Sequence, residues 1–328
     1  MGLALIVHGG AGAMARDRYE AAREGCRAAA LVGWEVLRRG GGALDAVQAA
    51  ITALENNPGF NAGTGAVLTT DGRAQLDAGI MEGETLRVGA VAGVERIKNP
   101  IALARRVLDS PHVLLMGAGA EQFAAASGLA LCDPAELITP AQHERWQRGY
   151  RAGDAVNVGP AGMDIGAVAE SAPAAHNGAR RAGDDEPIHS DAHTHGTVGA
   201  VAVDARGNVA AGASTGGIAA KHPGRIGDTP LVGAGFYAEN ELGGVSSTGH
   251  GEDFIRLLLA RRALDTIAAG RSAQAAAIEA IRLLDRRMHG DGGLILLDAR
   301  GRVGYARNTP SMAHAFIIEG MESPFAGV

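Results

Sequence analysis

The sequence contains no run of basic residues, and its formal net charge is −6 over 328 residues. Acidic and basic side chains are spread evenly, so the chain lacks the positive patch with which proteins bind nucleic acid. No stretch approaches the roughly 20 consecutive apolar residues that a membrane-spanning helix needs. We therefore expect no nucleic-acid partner and no contact with a membrane.

A secretory signal is also missing from the sequence, since residues 1–8 lack the basic start and the length of a signal peptide. We therefore expect a cytoplasmic protein. The two cysteines, Cys26 and Cys132, show no spacing typical of metal or redox motifs. Cys26 falls within a helical pattern and is expected in the core, while a disulfide between the two stays open. No cofactor is expected from these residues.

Aromatic residues make up only 4% of the chain, whereas glycine is abundant at 49 residues. This glycine content is about twice the usual share. The glycines cluster at the ends of apolar runs without a fixed period, which excludes a collagen-like chain or a flexible linker. We interpret them as turn residues between short elements.

Apolar periodicity predicts alternating strands and helices in the first 130 residues. A buried strand at 3–7 is expected to enter a tight loop at 8–12, and the Asp71-Gly72 pair predicts a hairpin. The remaining elements predicted here are helices at 18–39, 43–56, 99–108 and 118–128, with strands at 66–77 around that hairpin and at 88–94.

The second half begins with a polar segment, residues 151–196, that is expected to form an exposed, flexible arm. Strands at 197–203 and 208–213 follow, then helices at 252–269 and 273–288, then strands at 294–297 and 302–306. Strands, helices and strands in this order indicate an α+β fold. We predict a four-layer αββα sandwich, in which antiparallel sheets lie between helical layers.

The peptide bond between Gly196 and Thr197 is the first candidate for chemistry. A threonine hydroxyl becomes a nucleophile when a base takes its proton, and a free N-terminal amine is such a base. If Thr197 attacked the Gly196 carbonyl, the chain would cut itself and expose that amine, and glycine would permit the strained backbone required. The alternative is that Thr197 merely begins a strand.

Three further groups of residues surround this bond in the predicted fold. Thr215 ends the partner strand of Thr197, so pairing brings two hydroxyls together, either as support for a nucleophile or as an inert cross-strand pair. Arg225 and Asp228, three residues apart, form either a clamp for the two α-groups of an amino acid or a surface ion pair. Residues 246–252 offer either an oxyanion site or a helix N-cap.

Because it carries these residues, the chain resembles the plant-type asparaginase and isoaspartyl peptidase family of N-terminal nucleophile hydrolases. The resemblance extends over nearly the whole chain. The matching blocks are His8-Gly9-Gly10-Ala11-Gly12, Asn57-Pro58-Gly59-Phe60-Asn61-Ala62-Gly63, Leu76-Asp77-Ala78, Gly196-Thr197-Val198-Gly199-Ala200-Val201, Ser214-Thr215-Gly216-Gly217, Pro223-Gly224-Arg225-Ile226-Gly227-Asp228 and Ser247-Thr248-Gly249-His250-Gly251.

The resemblance implies an enzyme that cuts itself before Thr197, giving an α subunit (1–196) and a β subunit (197–328) within one αββα domain. It implies a homodimer of cleaved protomers, (αβ)2, that hydrolyses L-asparagine and β-aspartyl dipeptides. The implied roles are nucleophile for Thr197, supporting hydroxyl for Thr215, oxyanion hole for Thr248 and Gly249, α-carboxylate binding for Arg225, α-amine binding for Asp228 and Gly251, and autocleavage for Asn61.

A sodium ion is also implied, held by main-chain carbonyls of the loop 54–64. Its expected ligands are Leu54, Glu55, Asn57, Phe60, Ala62 and Thr64. Two positions depart from the family pattern: Ala213 replaces a common threonine behind the nucleophile, and Gly59 replaces an apolar residue in the loop that carries Asn61, which loosens that loop.

Other interpretations stay open at this point. A glycosylasparaginase-type amidase is disfavoured by Gly196, since such enzymes usually carry Asp before the threonine. A non-catalytic ligand-binding protein would use Gly233-Ala234-Gly235 to cradle a phosphate, although the surrounding motif is incomplete. A precursor that never matures is a further alternative. Three histidines before the cut, His189, His193 and His195, suggest either a metal site or solvated side chains.

Overall fold

The computed structural model describes residues 2–149 and 196–328, and in this part the chain forms twelve strands and eight α-helices. Apart from Gly196, the predicted arm and its three histidines lie outside the described residues. The strands are β1 (Ala4–Gly12), β2 (Leu76–Glu82), β3 (Val88–Val94), β4 (Leu114–Met116), β5 (Val198–Val203), β6 (Val209–Thr215), β7 (Phe236–Glu239), β8 (Gly243–Gly249), β9 (Gly292–Asp298), β10 (Val303–Arg307), β11 (Ser311–Ile318) and β12 (Phe325–Gly327).

The helices are α1 (Tyr19–Arg38), α2 (Ala43–Glu55), α3 (Pro100–Leu108), α4 (Gly117–Ala126), α5 (Pro140–Gln147), α6 (Gly251–Leu257), α7 (Leu259–Ala268) and α8 (Ala273–Met288). Most of them, including α1, α2, α3, α7 and α8, bury one face against a sheet, whereas α5 has no buried residue. Short 3-10 turns cover Arg16–Arg18 and Pro134–Leu137.

The larger sheet has the strand order β12-β11-β1-β5-β6-β2-β3-β4. All its pairs are antiparallel except β3 with β4. Strands that precede Thr197 in the sequence are mixed in this sheet with strands that follow it. Strand β1 lies between β11 and β5, and β2 lies beside β6. The two parts of the chain therefore share one hydrogen-bonded sheet.

The smaller sheet has the order β10-β9-β8-β7 and is antiparallel throughout. Helices α1, α2 and α3 contact the larger sheet, whereas α7 and α8 contact the smaller one. A separate apolar cluster contains residues of both sheets, among them Ile6, Val201, Phe236 and Ile295. The predicted mixed α+β class, with two sheets and helices, is confirmed.

Several predicted elements are confirmed with small shifts of their ends, including α1, α2, α3, β3 and α8. The single helix expected at 252–269 is wrong, because the chain turns at Leu258, which has left-handed backbone angles (φ 51°). There the N–H groups of Ala260 and Arg261 bond to the carbonyls of Ala234 and Gly233 rather than within one continuous helix.

Two strand predictions are also corrected by the structure. The loop expected at 8–12 is the second half of β1, which continues past a bulge between His8 and Ala11. Asp71 and Gly72 do form a tight turn, but the flanking residues do not pair as a hairpin, because β2 starts only at Leu76 and pairs with β3 and β6. Strands β4, β7, β8, β11 and β12 and helix α5 were not anticipated from the sequence.

Among the described residues, no helix has the length and apolar character that crossing a bilayer requires.

The Phe236 side chain provides a test of the contact between the two sheets. This residue begins β7, is fully buried, and its ring lies against Gly79 of β2 in the other sheet. Because truncation leaves a cavity, Phe236→Ala should lower the free energy of unfolding by about 3 to 5 kcal/mol, measured by urea denaturation. Phe325→Ala, at a side chain that is 45% exposed, is the matched control. Equal effects of the two variants would contradict this packing.

Candidate active site

The hydroxyl groups of Thr197 and Thr215 meet at one end of the β5–β6 pair. Thr197 directly precedes β5, Thr215 ends β6, and the neighbouring residues Val198 and Ser214 are register partners. The Thr197 hydroxyl donates to Oγ1 of Thr215 over 3.1 Å, and the N–H of Gly217 donates to the same oxygen over 2.9 Å. Both threonines are buried. The Thr215 oxygen is thus held in place to orient the Thr197 hydroxyl.

Asn61 links the loop after α2 to the turn that follows β6. Its side-chain N–H donates to the carbonyl of Gly217 over 2.7 Å, and its side-chain oxygen accepts from the N–H of Val67 over 2.8 Å. A Cβ added at Gly196 would lie 2.8 Å from the Cβ of Asn61, closer than such atoms approach. Glycine at position 196 therefore lets Asn61 pack directly against the candidate cleavage bond.

Thr248 and Gly249 lie at the end of β8 in the smaller sheet. The Oγ1 atom of Thr248 accepts from the N–H of Ala11 in β1 over 3.2 Å, across the two sheets. A Cβ at Gly249 would lie 2.5 Å from the Asp291 carbonyl oxygen, so this strand end leaves no room for a side chain. The segment 246–252 does lead into a helix, since His250 occupies the N-cap of α6, although it makes no side-chain cap bond.

Six of the predicted residues line one cleft, which we call the threonine cleft: Gly196, Thr197, Thr215, Arg225, Asp228 and Gly249. Thr248 and Gly251 are not among the lining residues of this cleft. Gly251 does lie against Asp228, since a Cβ added at Gly251 would be 2.9 Å from both the backbone nitrogen and the Oδ1 atom of Asp228. Asn61 lines a neighbouring cleft instead. The two clefts have Gly196 in common.

The alternative interpretation of Arg225 and Asp228 as a surface ion pair with each other is wrong. The Arg225 guanidinium bonds instead to both carboxylate oxygens of Glu252, through Nε (2.8 Å) and Nη2 (2.5 Å). These bonds use two of the five N–H donors of an arginine, so donors remain for a further anion. The sequence analysis placed Glu252 only at the start of a helix. Its position in that helix did not predict an ion pair with Arg225.

Asp228 is 4% exposed, and its Oδ2 atom has no hydrogen-bond partner among the described residues. Burial raises the pKa of Asp228 to about 7, the Arg225 charge opposes this rise, and the charges of Glu252 and Asp77 add to it. A buried carboxylate that lacks a partner is costly. An ammonium group in the threonine cleft would supply that partner.

A second set of charged side chains lies behind the hydroxyl pair, and the sequence analysis assigned it no role. Lys221 is 1% exposed and donates to the carbonyl of Gln75 over 2.8 Å. Asp77, the register partner of Thr215, accepts from the N–H of Gly93 over 2.8 Å. Burial raises the pKa of Asp77, and the Lys221 charge opposes this rise. A lysine in a turn-rich loop carries no sequence signal of such deep burial.

His8 of β1 lies between the sheets, and its Nε2 atom is 2.9 Å from the hydroxyl oxygen of Ser246 in β8. Complete burial lowers the pKa of His8 to about 3. His8 is therefore neutral at pH 7. This contact ties β1 to the strand that carries Thr248.

The loop proposed for sodium turns back on itself after α2. Three of its expected ligand carbonyls accept backbone N–H groups: Leu54 from Asn57, Glu55 from Thr64, and Asn57 from Phe60. Each carbonyl oxygen keeps a second lone pair, so neutral oxygen donors of the type that binds sodium are present. Both backbone polar groups of Gly59 are hydrogen-bonded: its N–H donates to the side-chain oxygen of Asn57, and its carbonyl accepts from the Arg18 guanidinium.

The phosphate-cradle interpretation of residues 233–235 is wrong. The N–H of Gly233 donates to the Phe236 carbonyl, and those of Ala234 and Gly235 donate to the Leu231 carbonyl. A phosphate cradle needs N–H groups that point at the ligand. Here all three are already used within the loop.

Comparison with known proteins adds to this geometry. The family model described as asparaginase matches residues 1–324. The chain is 45% identical to a plant-type L-asparaginase of Pyrococcus abyssi, over 99% of this chain and 100% of the relative. The chain belongs to this asparaginase family. It is also 41% identical to the isoaspartyl peptidase/L-asparaginase of Homo sapiens, over 90% of this chain and 87% of the relative.

The raised pKa of Asp228 predicts how this family member's stability depends on pH. The fold favours the protonated carboxyl, so its contribution to stability is complete below the ordinary pKa of 3.8 and is lost as the pH rises through about 7. Asp228→Asn, which cannot ionise, should therefore be more stable than the wild type by roughly 2 to 4 kcal/mol at pH 8. Thermal unfolding between pH 5 and pH 8 measures this difference.

The matched control for this measurement is Asp17→Asn, at an exposed carboxylate. The stability gain of Asp228→Asn should grow with pH, whereas that of the control should stay constant. A gain that is independent of pH would show that Asp228 is already ionised at pH 5.

Proposed function

We propose that this chain is an autocleaving threonine amidohydrolase that hydrolyses the side-chain amide of L-asparagine and the isopeptide bond of β-aspartyl dipeptides, releasing L-aspartate. The observation that carries this proposal is the hydroxyl pair of Thr197 and Thr215, 3.1 Å apart, beside the Gly196–Thr197 bond. The names of the relatives support both activities, since they include L-asparaginase and isoaspartyl peptidase.

In the proposed maturation, the Thr197 hydroxyl attacks the carbonyl carbon of Gly196. The C–N bond breaks, the proton passes to the Thr197 nitrogen, and an ester joins Gly196 to the Thr197 oxygen. Water then hydrolyses the ester, which leaves residues 1–196 with a carboxylate and residues 197–328 with a free amine. The contact of Asn61 with Gly196 supports this step, because it limits the positions that the Gly196 backbone can take.

In the proposed turnover, the Thr197 amine takes the proton of the Thr197 hydroxyl, which attacks the side-chain carbonyl of the substrate. Arg225 binds the α-carboxylate, and Asp228 with Gly251 binds the α-ammonium. Thr248 and Gly249 stabilise the developing oxyanion. Ammonia or an amino acid leaves with a proton, and water hydrolyses the aspartyl ester on Thr197 to regenerate the enzyme.

The same proposal extends to the architecture and assembly. The three apolar clusters, two between helices and a sheet and one between the sheets, support the αββα sandwich of N-terminal nucleophile hydrolases. We further propose a homodimer of cleaved protomers, (αβ)2, in the cytoplasm. The carbonyls of Leu54, Glu55, Asn57, Phe60, Ala62 and Thr64 would hold a sodium ion that stiffens the loop carrying Asn61.

Mass spectrometry of the purified protein tests the cleavage. The wild type should separate under denaturing conditions into two fragments, 1–196 and 197–328. Thr197→Ala removes the nucleophile and should stay whole at 33.3 kDa and inactive. Thr266→Ala, at a half-buried threonine of α7, is the matched control and should mature normally. A wild type that stays uncut on standing would contradict the proposal.

The substrate clamp is tested by kinetics with asparagine. Asp228→Asn removes the charge that binds the α-ammonium, so KM should rise by about 10- to 100-fold while maturation persists. Since burial raises the pKa of Asp228 to about 7, the wild-type KM should also fall as the pH rises from 6 to 8, and the variant should lose this dependence. An unchanged KM in the variant would contradict the assignment of Asp228 to binding of the α-ammonium.

The clamp also limits the class of substrates. Because it takes a free α-amine and a free α-carboxylate, isoaspartyl residues inside an intact peptide should not be hydrolysed. Incubation of such a peptide with the enzyme, followed by mass spectrometry, decides this point, and cleavage at the internal residue would refute the clamp.

A further inference from the structure

The threonine cleft contains one polar side chain that the proposed function does not use. Of its described lining residues, five have polar side chains, namely Thr197, Thr215, Arg225, Asp228 and Thr229. The proposed function uses the first four as the nucleophile, its support and the substrate clamp. Thr229 directly follows Asp228 in the chain, and no motif in the sequence gave it a role. Its hydroxyl is the polar group of this cleft that still lacks a function.

The Thr229 hydroxyl is buried without a hydrogen-bond partner. Thr229 is 1% exposed, and its Oγ1 atom bonds to no group among the described residues. A buried hydroxyl that makes no hydrogen bond costs free energy, so each such group in a folded protein needs an explanation. Because Thr229 lines the threonine cleft, a ligand bound there can supply the partner that the chain does not.

The turn that carries Thr229 is held on two sides. The N–H of Leu231 donates to the carbonyl of Asp228 over 2.9 Å and closes the turn. Gly235 packs against it, because a Cβ added at Gly235 would lie 2.5 Å from the Asp228 carbonyl oxygen and 2.9 Å from the Cα atom of Thr229. Pro230 restricts the backbone of the residue before it, and the branched Cβ of threonine limits χ1. The position of the Thr229 hydroxyl relative to the Asp228 backbone is therefore fixed.

Two consecutive residues of the threonine cleft thus carry oxygen atoms without a partner among the described residues, Oδ2 of Asp228 and Oγ1 of Thr229. A ligand group that satisfies both must donate to an ionised carboxylate and to a hydroxyl oxygen. A ligand carboxylate would be repelled by Asp228, whereas an ammonium group is attracted to it and has three N–H donors. The proposed function gives this ammonium two partners, Asp228 and Gly251, so one donor remains for Thr229.

From this arrangement we infer that Thr229 is a specificity-determining residue, whose hydroxyl oxygen accepts the third hydrogen bond of the substrate's α-ammonium beside Asp228. The inference rests on the proposed function, from which it takes an aspartyl substrate with a free α-ammonium. Because the ammonium does not change during hydrolysis, the bond to Thr229 is equally strong in the ground state and the transition state. Thr229 therefore acts on KM and leaves kcat unchanged. An α-nitrogen within an amide has one N–H at most and cannot satisfy both oxygens.

The test compares two ligands that differ only in the α-ammonium, L-aspartate and succinate, by isothermal titration calorimetry of the purified protein at pH 8. Thr229→Val replaces the hydroxyl by a methyl group of similar size, so it should weaken aspartate binding roughly tenfold and change succinate binding by less than about twofold. In asparagine hydrolysis the same variant should raise KM roughly tenfold and keep kcat within about twofold of the wild type. Thr229→Ser retains the hydroxyl and should bind aspartate within about threefold of the wild type.

Thermal unfolding separates this binding role from a structural one. Because the Thr229 hydroxyl has no partner among the described residues, Thr229→Val should have a Tm equal to or above that of the wild type. The matched control is Thr309→Val, at a buried threonine that lines neither of the two clefts and whose hydroxyl donates to the carbonyl of Ser311 over 3.0 Å. This control should lower the Tm and leave the affinity for aspartate unchanged.

The outcomes separate the inference from the proposed function. Equal aspartate affinities of Thr229→Val and the wild type, or an equal loss of affinity for aspartate and succinate, would refute the role of Thr229. A wild type that hydrolyses neither asparagine nor a β-aspartyl dipeptide would refute the proposed function, while the two affinities still decide on Thr229. Should Thr229→Val fail to fold by circular dichroism, Thr229→Ala, which is smaller and also lacks the hydroxyl, takes its place in the comparison.

Discussion

The candidate site depends on the antiparallel register of β5 and β6 in the middle of the larger sheet. This register pairs Val198 with Ser214, and one residue beyond it the hydroxyls of Thr197 and Thr215 are 3.1 Å apart. A shift by one residue would turn every side chain to the opposite face and separate the two oxygens. Because both strands are fully buried and paired on both sides, such a shift would disturb the whole sheet.

The second requirement is the contact between the two sheets. The hydroxyl pair belongs to the larger sheet, whereas Thr248 and Gly249 end a strand of the smaller one. Two polar contacts cross the interface close to the site, from Ala11 to Thr248 and from His8 to Ser246. The apolar cluster between the sheets fixes their separation, and these polar contacts fix the position of β8 against β1.

The sequence was sufficient for the parts of this arrangement that depend on local pattern. Helical periodicity gave α1, α2 and α8, and the strand–turn–strand pattern gave the β5–β6 pair with its two threonines. Local pattern failed where tertiary contacts override it: α6 and α7 separate because N–H groups of Ala260 and Arg261 bond to a distant loop, and β1 continues through residues that read as a turn. Loop residues with no periodicity, such as Lys221, gave no indication of their burial.

The ion pair of Arg225 illustrates why the site could be predicted only in part. The sequence placed Arg225 and Asp228 near each other, and in the structure both line the threonine cleft. The charges that act on them, however, come from elements that are distant in sequence: Glu252 on α6 pairs with Arg225, and both Glu252 and Asp77 on β2 disfavour the ionised form of Asp228. Spacing along the chain identifies which groups approach a site, but it does not specify which charges will neutralise one another there.

The balance of charges at the threonine cleft bears on the zwitterionic substrate of the proposed function. Asp77, Asp228 and Glu252 carry negative charge when ionised, and Lys221 and Arg225 carry positive charge, so full ionisation leaves one negative charge in excess. Asp228 bears this imbalance, because burial and its two acidic neighbours disfavour its ionised form. In the proposed function, an arriving ammonium would remove the imbalance and lower the pKa of Asp228, while the accompanying carboxylate would reach the unused donors of Arg225. Binding of the two charged groups would then be coupled to the ionisation of Asp228, and an amine or a carboxylate alone would satisfy only half of the cleft.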